Sequence, residues 1–411
     1  MKPIYTSKIG IYAVVILFLS ILCLSCSPRS KNPLESKKNG IYVFDFDKAK
    51  TKPDFLYSSI YKRVSVIPLE TNQFSLIGSI SKIRVFDNYI FVLDSYDAKT
   101  LFLFDREGNF IRKIGNNGQG PREYIEPSDF TIDIEGKTVY VLDDTKQRIL
   151  RYDLTTGSFI KAIDLEEEVR NIEYFDGKLY ADANFRQNTD NNYLLRVIDE
   201  SSGKEQSRYL NVRAFSQGIS NTSRVQKNLF HFRENGNPVF VRQFMSHVVG
   251  IDRDSIFSLI ELKGKDFFLT SDEVDEIKSA SLIRNSSEVI SRINKYHSIG
   301  GFIEKGDLIL MDFEKGFSLQ KLLIHKKKNE MYVLEPFNDD VLFKIDVPYP
   351  IPTYSCYDKG GVYYYVNTHS MSEYQTFAKE GVLSSDLVRL EDLKNLEEDA
   401  NPFIFYYEFK D

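Results

Sequence analysis

The sequence predicts an all-β protein, a six-bladed β-propeller with four-stranded antiparallel blades and short helical insertions. Three observations support this prediction: an internal repeat, the residues at the turns inside each repeat, and a strand-like segment at the C-terminus. Aromatic residues make up 14% of the 411 residues, and tyrosine and phenylalanine are enriched in strands. The composition therefore agrees with a fold built from sheets.

The repeat is clearest in two stretches of the N-terminal half. Residues 88–114 are NYIFVLDSYDAKTLFLFDREGNFIRKI, and residues 137–163 are KTVYVLDDTKQRILRYDLTTGSFIKAI. A third and looser copy runs from Gly177 to Lys204. The period of roughly 48 residues lies in the range of propeller blades.

Each copy has the same order of parts. Two apolar runs are followed by a tight turn that begins with Asp and ends with Gly, at Asp105–Gly108, Asp153–Gly157 and Asp199–Gly203. Asp accepts backbone hydrogen bonds at the start of a turn, and Gly adopts positive φ at its end. The runs IFVL and LFLF do not alternate, which is typical of strands covered on both faces. Blades stacked around an axis meet that condition.

Later copies are weaker, but their apolar runs still bring the predicted number of blades to six. Two segments depart from the pattern and are predicted to be partly helical, residues 270–296 and 374–399. Thr270 and Glu273 have the spacing of a capping box. Neither segment is long enough to bury a core of its own, so both are interpreted as insertions.

The two ends of the predicted propeller carry strand-like segments. VSVIPLE occupies residues 64–70, and NPFIFYYEFK occupies residues 401–410. We expect a single propeller over residues 41–411, with the C-terminal strand completing a terminal blade.

The N-terminus has the features of an export signal. Lys2 and Lys8 precede the uncharged apolar run of residues 9–24. This run ends in LCLSC, and a small residue directly before a cysteine is typical of bacterial lipoprotein signals, which favours Cys26 over Cys23 as the lipidated residue. The sequence thus predicts a signal peptide over residues 1–25 and a linker over residues 26–40. The alternative is a simple N-terminal membrane anchor.

Both interpretations tether the chain to a membrane outside the cytoplasm. Residues 27–32 are basic and lack an acidic export tract, which favours a lipid-anchored protein of the cell envelope that faces the periplasm. Removing residues 1–25 takes away two lysines and no acid, so the mature net charge is 51 − 59 = −8. Mild acidity argues against a nucleic-acid partner. Cys356 is then the one cysteine of the predicted propeller, so no internal disulfide is expected, and a buried apolar role is favoured over a nucleophile.

The sequence resembles a family of six-bladed β-propeller lipoproteins of Gram-negative bacteria. The resemblance is carried by residues 63–94, by GQGPREYIEPSDFTID at residues 118–133, and by the terminal NPFIFYYEFK. It implies the propeller fold and the envelope location, and the family largely lacks an assigned activity. One departure is Arg122, where the family often has Gly.

The stretch GNNGQGPREY, residues 115–124, is predicted to be a crossing between two blades. It should lie on the face of the ring that also carries the turns between second and third strands, the top face. No helix start and no Gly-Lys-Ser/Thr follows it, so a phosphate-binding loop is excluded. Gly118, Gly120 and Pro121 are expected to shape the loop. Its candidate ligand-binding residues are Gln119, Arg122, Glu123 and Tyr124.

No local motif for catalysis is present. The five histidines form no i, i+4 pair, and no Gly-x-Ser-x-Gly occurs. We therefore predict a non-catalytic binding module that needs no cofactor and takes a glycan, peptide or protein ligand on the top face. The alternative is a metal-dependent hydrolase of the lactonase or esterase type, with its site in the central channel.

Overall fold

Six small sheets lie in a ring, which confirms the predicted six-bladed propeller. The computed structural model describes residues 42–183, 193–212, 228–281, 286–335, 337–344 and 355–410. The predicted signal peptide, the linker and Cys26 lie outside the described residues.

The chain enters the ring through three short strands, two 3₁₀ turns and one strand of eight residues. They are β1 (Tyr42–Asp45), the turn Phe46–Lys48, β2 (Lys50–Lys52), β3 (Phe55–Leu56), the turn Tyr57–Ser59, and β4 (Tyr61–Pro68).

The first three blades are consecutive four-stranded antiparallel sheets. Blade 1 contains β5 (Lys82–Phe86), β6 (Tyr89–Asp94), β7 (Thr100–Asp105) and β8 (Phe110–Ile114). Blade 2 contains β9 (Pro127–Asp133), β10 (Thr138–Asp143), β11 (Arg148–Asp153) and β12 (Phe159–Asp164). Blade 3 contains β13 (Val169–Phe175), β14 (Lys178–Ala183), β15 (Tyr193–Ile198) and β16 (Glu205–Asn211).

The last three blades also recruit the N-terminal strands. Blade 4 contains β17 (Phe230–Phe232), β18 (Pro238–Phe240), β19 (His247–Asp252) and β20 (Ser255–Lys263). Blade 5 contains β21 (Tyr296–Lys305), β22 (Leu308–Lys315), β23 (Ser318–His325) and β24 (Glu330–Leu334), and β25 (Phe337–Asn338) follows it. Blade 6 contains β26 (Ser355–Tyr357), β27 (Gly361–Val366), β28 (Phe403–Phe409) and β4.

The predicted helical insertions are present. They are α1 (Ser271–Ser281), α2 (Ser286–Ile293), α3 (Thr368–Lys379) and α4 (Leu390–Lys394). The capping box before α1 is formed, because the Glu273 carboxylate accepts from the backbone N–H of Thr270 at 2.6 Å and the Thr270 hydroxyl accepts from the N–H of Glu273 at 3.3 Å. Within the described part of the chain, no helix is long and apolar enough to cross a membrane.

The ring closes by pairing both ends of the propeller in one blade, as predicted. β28 lies between β27 and β4, and it pairs with β4 in register from Phe403 opposite Pro68 to Phe409 opposite Tyr61. The C-terminal strand is thus an interior strand of blade 6 with a partner on each side.

The sequence did not predict the additional edge strands. β1 pairs in parallel with β20 of blade 4, and β2 pairs in parallel with β24 of blade 5. Both are three or four residues long, so neither has enough apolar residues to form a recognisable pattern. They cover the outer edges of two blades, and covered edges do not recruit strands from other molecules.

The core consists of the contacts between neighbouring blades. In β6, Ile90 and Val92 pack with Tyr363 and other side chains of blade 6, whereas Phe91 and Leu93 pack with blade 2. All four side chains are completely buried. Successive residues thus face opposite neighbours, which explains why the apolar runs do not alternate.

The predicted Asp-to-Gly turns are formed. The Asp105 carboxylate accepts from the N–H groups of Glu107 and Asn109, and Gly108 has a φ of 92°. Hydrogen bonds from Thr156 lower the pKa of the equivalent Asp153. These short-range bonds set the register of the third and fourth strands in each repeat.

A buried carboxyl group lies against the closing strand. The Tyr407 hydroxyl of β28 donates to Asp339 at 2.5 Å, and the N–H of Leu342 donates to the same carboxyl group at 2.9 Å. Asp339 is 8% exposed, and its burial raises its pKa from 3.8 to about 6, although the two hydrogen bonds act in the opposite direction.

We predict that Asp339 makes the protein less stable as the pH rises through 6. A carboxyl whose folded pKa lies above its unfolded value stabilises the fold when protonated, and that contribution is lost between about pH 4 and pH 6. From the pKa values 3.8 and 6, the loss is up to about 3 kcal/mol. Urea unfolding across this range should show it in the wild type and not in Asp339→Asn, with Asp340→Asn as control. Equal pH profiles for the wild type and Asp339→Asn would contradict the assignment.

Candidate binding site at the channel mouth

The two faces of the ring carry different connections. The top face carries the turns between second and third strands and the crossings between blades. The bottom face carries the turns between first and second strands, such as Asp87–Asn88 in blade 1, and those between third and fourth strands. The loop of residues 115–124 lies on the top face, because Lys146 in the β10–β11 turn donates to the carbonyl of Gln119 at 3.0 Å.

Tyr124 is not a surface residue of this loop. Its side chain is fully buried, and its hydroxyl donates to the carbonyl of Ile114 at 2.9 Å and accepts from the N–H of Leu101 at 3.3 Å. These bonds fasten the loop to blade 1. The expectation that Tyr124 faces a ligand on the top face therefore does not fit its position.

The glycines of the loop have a different role from the one expected. Gly118 and Gly120 do not have positive φ, whereas Gly115 has a φ of 70°. A Cβ at Gly118 would lie 2.1 Å from the carboxylate of Glu123, and one at Gly120 would lie 2.9 Å from it. Glu123 accepts from the N–H of Gly120 at 2.9 Å. Gly118 and Gly120 thus leave space for Glu123, which folds back on its own loop.

The rest of the loop is fastened through its backbone. Arg148 donates to the carbonyl of Pro121 at 3.3 Å, and the Tyr152 hydroxyl donates to the carbonyl of Arg122 at 3.0 Å. The side chains of Gln119 and Arg122 are exposed on the top face. A binding role for these two side chains stays a prediction.

The aspartates that end the second strands hold the crossings in place. Asp94 accepts from the N–H groups of Gly78 and Ser79 at 2.8 and 3.1 Å, and Asp143 accepts from those of Ile125 and Glu126 at 3.3 and 3.2 Å. In the sequence these residues mark the repeated Val-Leu-Asp. The repeated Val-Leu-Asp was the sequence signal for this role. Sequence reasoning nevertheless did not assign these aspartates to holding the crossings.

Buried ion pairs fill the central channel. Arg84 of blade 1 donates to Glu173 of blade 3 through two nitrogens, at 2.8 and 3.3 Å, and the Thr131 hydroxyl of blade 2 donates to the same carboxylate at 2.8 Å. Lys82 donates to Asp129 at 2.5 Å. All four charged side chains are less than 7% exposed.

Below these ion pairs, a pocket of about 360 Å³ opens towards the bottom face. Inner strands and turns of blades 1, 4, 5 and 6 line it. Its aromatic wall consists of Phe86, Phe230, Phe232, Phe302 and Tyr357. Polar side chains enter the same wall, and Cys356 lies in it. A largely apolar pocket with a few convergent polar groups is the usual form of a ligand site.

Three polar atoms in this wall have no hydrogen-bond partner among the residues that the structure describes. They are Nε2 of His231, Oδ1 of Asn228 and Nε of Arg233. His231 is 8% exposed, so water is largely kept from it. Buried polar groups are nearly always satisfied in folded proteins. Each of the three atoms has less than 1 Å² of accessible surface, so they lie behind the wall of the pocket and not at its surface.

His231 is neutral in this position. Its burial and the positive charges of Arg84 and Lys82 lower its pKa to about 4, while a hydrogen bond to the backbone of Asn228 acts in the opposite direction. That bond uses Nδ1, because Nε2 has no partner. In the neutral ring, Nε2 then carries a lone pair and accepts a hydrogen bond.

The arginines of the pocket are all paired with carboxylates. Arg84 pairs with Glu173, Arg106 pairs with Asp358 at 2.8 Å, and Arg233 pairs with Asp252. The guanidinium group of Arg84 also stacks on the ring of Phe232, 4.1 Å from its centroid. The pocket is therefore rich in cationic side chains whose charge is compensated.

The channel carboxylates and the Cys356 thiol are paired or protonated. No group of three or more His, Cys, Asp or Glu within the described ranges could hold a metal ion. The channel carboxylates Asp129 and Glu173 are bound to Lys82 and Arg84. Burial raises the pKa of the Cys356 thiol to about 12, so the thiol is protonated at neutral pH, in agreement with the expected buried apolar role.

We predict that Glu173→Gln destabilises the fold by about 3–5 kcal/mol, because it leaves the buried charge of Arg84 without a partner. The double substitution Arg84→Met and Glu173→Gln should recover much of that loss, since no charge is then buried. Urea unfolding measures both. Glu276→Gln breaks an exposed ion pair with Arg292 and should change stability by less than about 1 kcal/mol. A Glu173→Gln effect as small as this control would show that the channel pair is not a stability determinant.

Two solved structures are similar to this chain. A protein of Bacteroides fragilis, named "Putative exported protein", has 17% sequence identity and a TM-score of 0.70, and the match covers 90% of this chain and 100% of that one. A member of the DUF4221 family from Bacteroides vulgatus has 9% identity and a TM-score of 0.47, with 85% and 97% covered. No curated protein matches the sequence.

The sequence itself identifies the family. The model of a family described as "Domain of unknown function (DUF4934)" matches residues 41–408, which is nearly the whole propeller. The chain therefore belongs to the DUF4934 family.

Proposed function

We propose that this protein is a lipoprotein of the cell envelope whose propeller is a non-catalytic binding module, with a small ligand held in the pocket at the bottom mouth of the channel. The observation that carries the proposal is one largely apolar pocket of about 360 Å³, with an aromatic wall and polar side chains that enter it from several blades.

Binding is favoured over catalysis by the state of the reactive groups. Cys356 is protonated, Glu173 and Asp358 are engaged by Arg84 and Arg106, and Glu234 accepts from the N–H of Gly306 at 2.8 Å. Catalytic acids and bases usually have pKa values near the working pH. The neutral His231, with its pKa of about 4, is better suited to accept a hydrogen bond than to exchange a proton at pH 7.

The envelope location rests on the N-terminal sequence. The export signal, Cys26 at its end and the basic residues after it support a lipid anchor and a periplasmic-facing propeller. The name of the similar Bacteroides fragilis protein, which calls it exported, is compatible with this location. Tyr42, where the described chain begins, lines a groove with Arg233 and Glu234 of the bottom face.

We predict that Cys26→Ala releases or mislocalises the protein, because the mature chain would lose its lipid. Membrane fractionation and the mass of the processed N-terminus measure this. Cys23→Ala is the matched control and should leave processing and membrane retention unchanged. Full membrane retention with normal processing in Cys26→Ala would rule out lipidation at this residue.

We also predict that the pocket binds small rings in solution. Phenol, benzoate and benzylammonium are suitable probes, because they share a ring and differ in charge. Saturation-transfer NMR should show at least one of them bound to the wild type and to Cys356→Ser, which keeps the pocket open. Binding should be lost in Cys356→Phe, which fills it, or in Phe86→Trp if the first variant does not fold. Binding that survives in a folded variant with a filled pocket, or no binding at all, would overturn the proposed site.

A further inference from the structure

We infer that the protein has a second ligand site, a polar cleft on the top face that binds an uncharged sugar. The cleft has a volume of about 500 Å³, and its lining comes from the inner strands and top-face loops of blades 1, 2 and 3. Lys82 of β5 lines the cleft, and Arg84, two residues further along the same strand, lines the pocket at the other mouth of the channel. The ion pairs of the channel thus separate the two sites, and this inference does not rest on the proposed function.

The walls of the cleft are positioned by the aspartates of the repeated Val-Leu-Asp. Asp94 accepts from the N–H of Tyr96 at 3.1 Å, and Asp143 accepts from the N–H of Glu126 at 3.2 Å. The N–H of Asp144 donates to the carbonyl of Glu126 at 3.0 Å. The backbone that carries Tyr96, Glu126 and Asp144 is therefore fixed before a ligand arrives, and a preorganised site loses less conformational entropy on binding.

Two cations at the rim of the cleft are paired with carboxylates. The Lys99 ammonium lies 3.5 Å from the carboxylate of Glu126, and the Arg170 guanidinium lies 3.6 Å from that of Glu168. The side chains of Lys99, Glu126 and Arg170, which line the cleft, are 37%, 51% and 60% exposed. A ligand in the cleft can therefore reach them.

The other charged side chains of the lining are engaged as well. Lys82 donates to Asp129 at 2.5 Å, and both side chains are buried. Asp144 accepts from the side-chain amide of Gln147 at 3.0 Å. Each cation of the lining thus already has a carboxylate, so an anionic ligand would have to displace one. A cationic ligand would gain the carboxylate of Asp144, but it would also meet the two exposed cations of the rim.

An exposed ion pair of this kind matches hydroxyl groups. The Lys99 ammonium donates hydrogen bonds and the adjacent Glu126 carboxylate accepts them, while a hydroxyl group does both. Neighbouring hydroxyl groups can therefore bind donor and acceptor at once without leaving either charge unpaired. On the same lining, Asp144 adds an acceptor and Arg170 adds donors.

Tyr96 gives the cleft an exposed aromatic ring. The residue is 62% exposed, whereas Pro127, the other apolar member of the described lining, is buried. A largely apolar ligand would thus find little apolar surface here, in contrast with the bottom pocket. A sugar ring has C–H groups on its faces and hydroxyl groups at its edge, so it can stack on Tyr96 while its hydroxyl groups reach the charged side chains. A tyrosine provides this contact area at a low cost in conformational entropy.

The experiment compares ring compounds that differ in charge and in hydroxyl groups. The methyl glycosides of glucose, galactose and mannose are uncharged, methyl glucuronide is negative, glucosamine is positive, and cyclohexanol has a single hydroxyl group. Dissociation constants are measured by NMR titration of the full chain, in a detergent without a sugar headgroup. We expect at least one methyl glycoside to bind about tenfold more tightly than each of the other three probes, since these lose hydrogen bonds or bring an uncompensated charge.

Variants of exposed residues test the contacts. Tyr96→Ala removes the ring and should weaken the bound glycoside about tenfold, whereas Tyr96→Phe keeps the ring and should retain most of the affinity. Glu126→Ala removes an acceptor and should also weaken binding about tenfold. Phe317→Ala is the matched control, because Phe317 is 64% exposed in the corresponding turn of blade 5 and lies outside the lining of the cleft. It should bind the glycoside as the wild type does, and melting temperatures check that every variant is folded.

The outcomes keep this inference apart from the proposed function. Cys356→Phe or Phe86→Trp, which fill the bottom pocket, should leave the binding of the glycoside unchanged. The inference is overturned if either folded variant abolishes that binding, if the charged probes bind as tightly as the glycosides, or if Tyr96→Ala has no more effect than Phe317→Ala. If no methyl glycoside binds while phenol, benzoate or benzylammonium does, the cleft is not a sugar site and the proposed function stands. The reverse result supports the cleft and overturns the bottom pocket.

Discussion

The ion pair between Arg84 and Glu173 is the interaction on which the centre of the ring depends. It joins the inner strands of blades 1 and 3 across blade 2, whose Thr131 donates to the same carboxylate. It also provides one wall of the pocket, because Arg84 lines that pocket and stacks on Phe232 of blade 4. One buried pair thus ties four blades together and closes the channel above the site.

The same pair determines the chemistry of the pocket. A bidentate carboxylate compensates the charge of Arg84, and burial together with the nearby guanidinium lowers the pKa of His231, so its ring is neutral. The site therefore combines cationic side chains with a neutral histidine. This arrangement favours apolar contact with a ligand, and the lowered pKa of His231 makes its ring a poor proton donor at pH 7.

Sequence reasoning succeeded where the signal is local and repeated. The turns at Asp105 and Asp153 use hydrogen bonds within five residues, so they and the strands beside them were predictable. The edge strands β1 and β2 were missed because each pairs with a strand more than 200 residues away. Tyr124 was misassigned because burial depends on Ile114 and Leu101, its partners across the loop.

The pocket could not be predicted because its wall comes from four blades, from Arg84 to Tyr357. The top face of the ring differs from this pocket, because its backbone N–H groups are paired with side chains. On the top face, the Asp94 carboxylate alone accepts from four backbone N–H groups, and Asn367 and Asn401 satisfy others. The bottom mouth instead presents a pocket of about 360 Å³ with an aromatic wall, and a largely apolar pocket with a few polar groups is the usual form of a ligand site. The bottom mouth of the channel is therefore where the physical chemistry of this ring favours a largely apolar ligand.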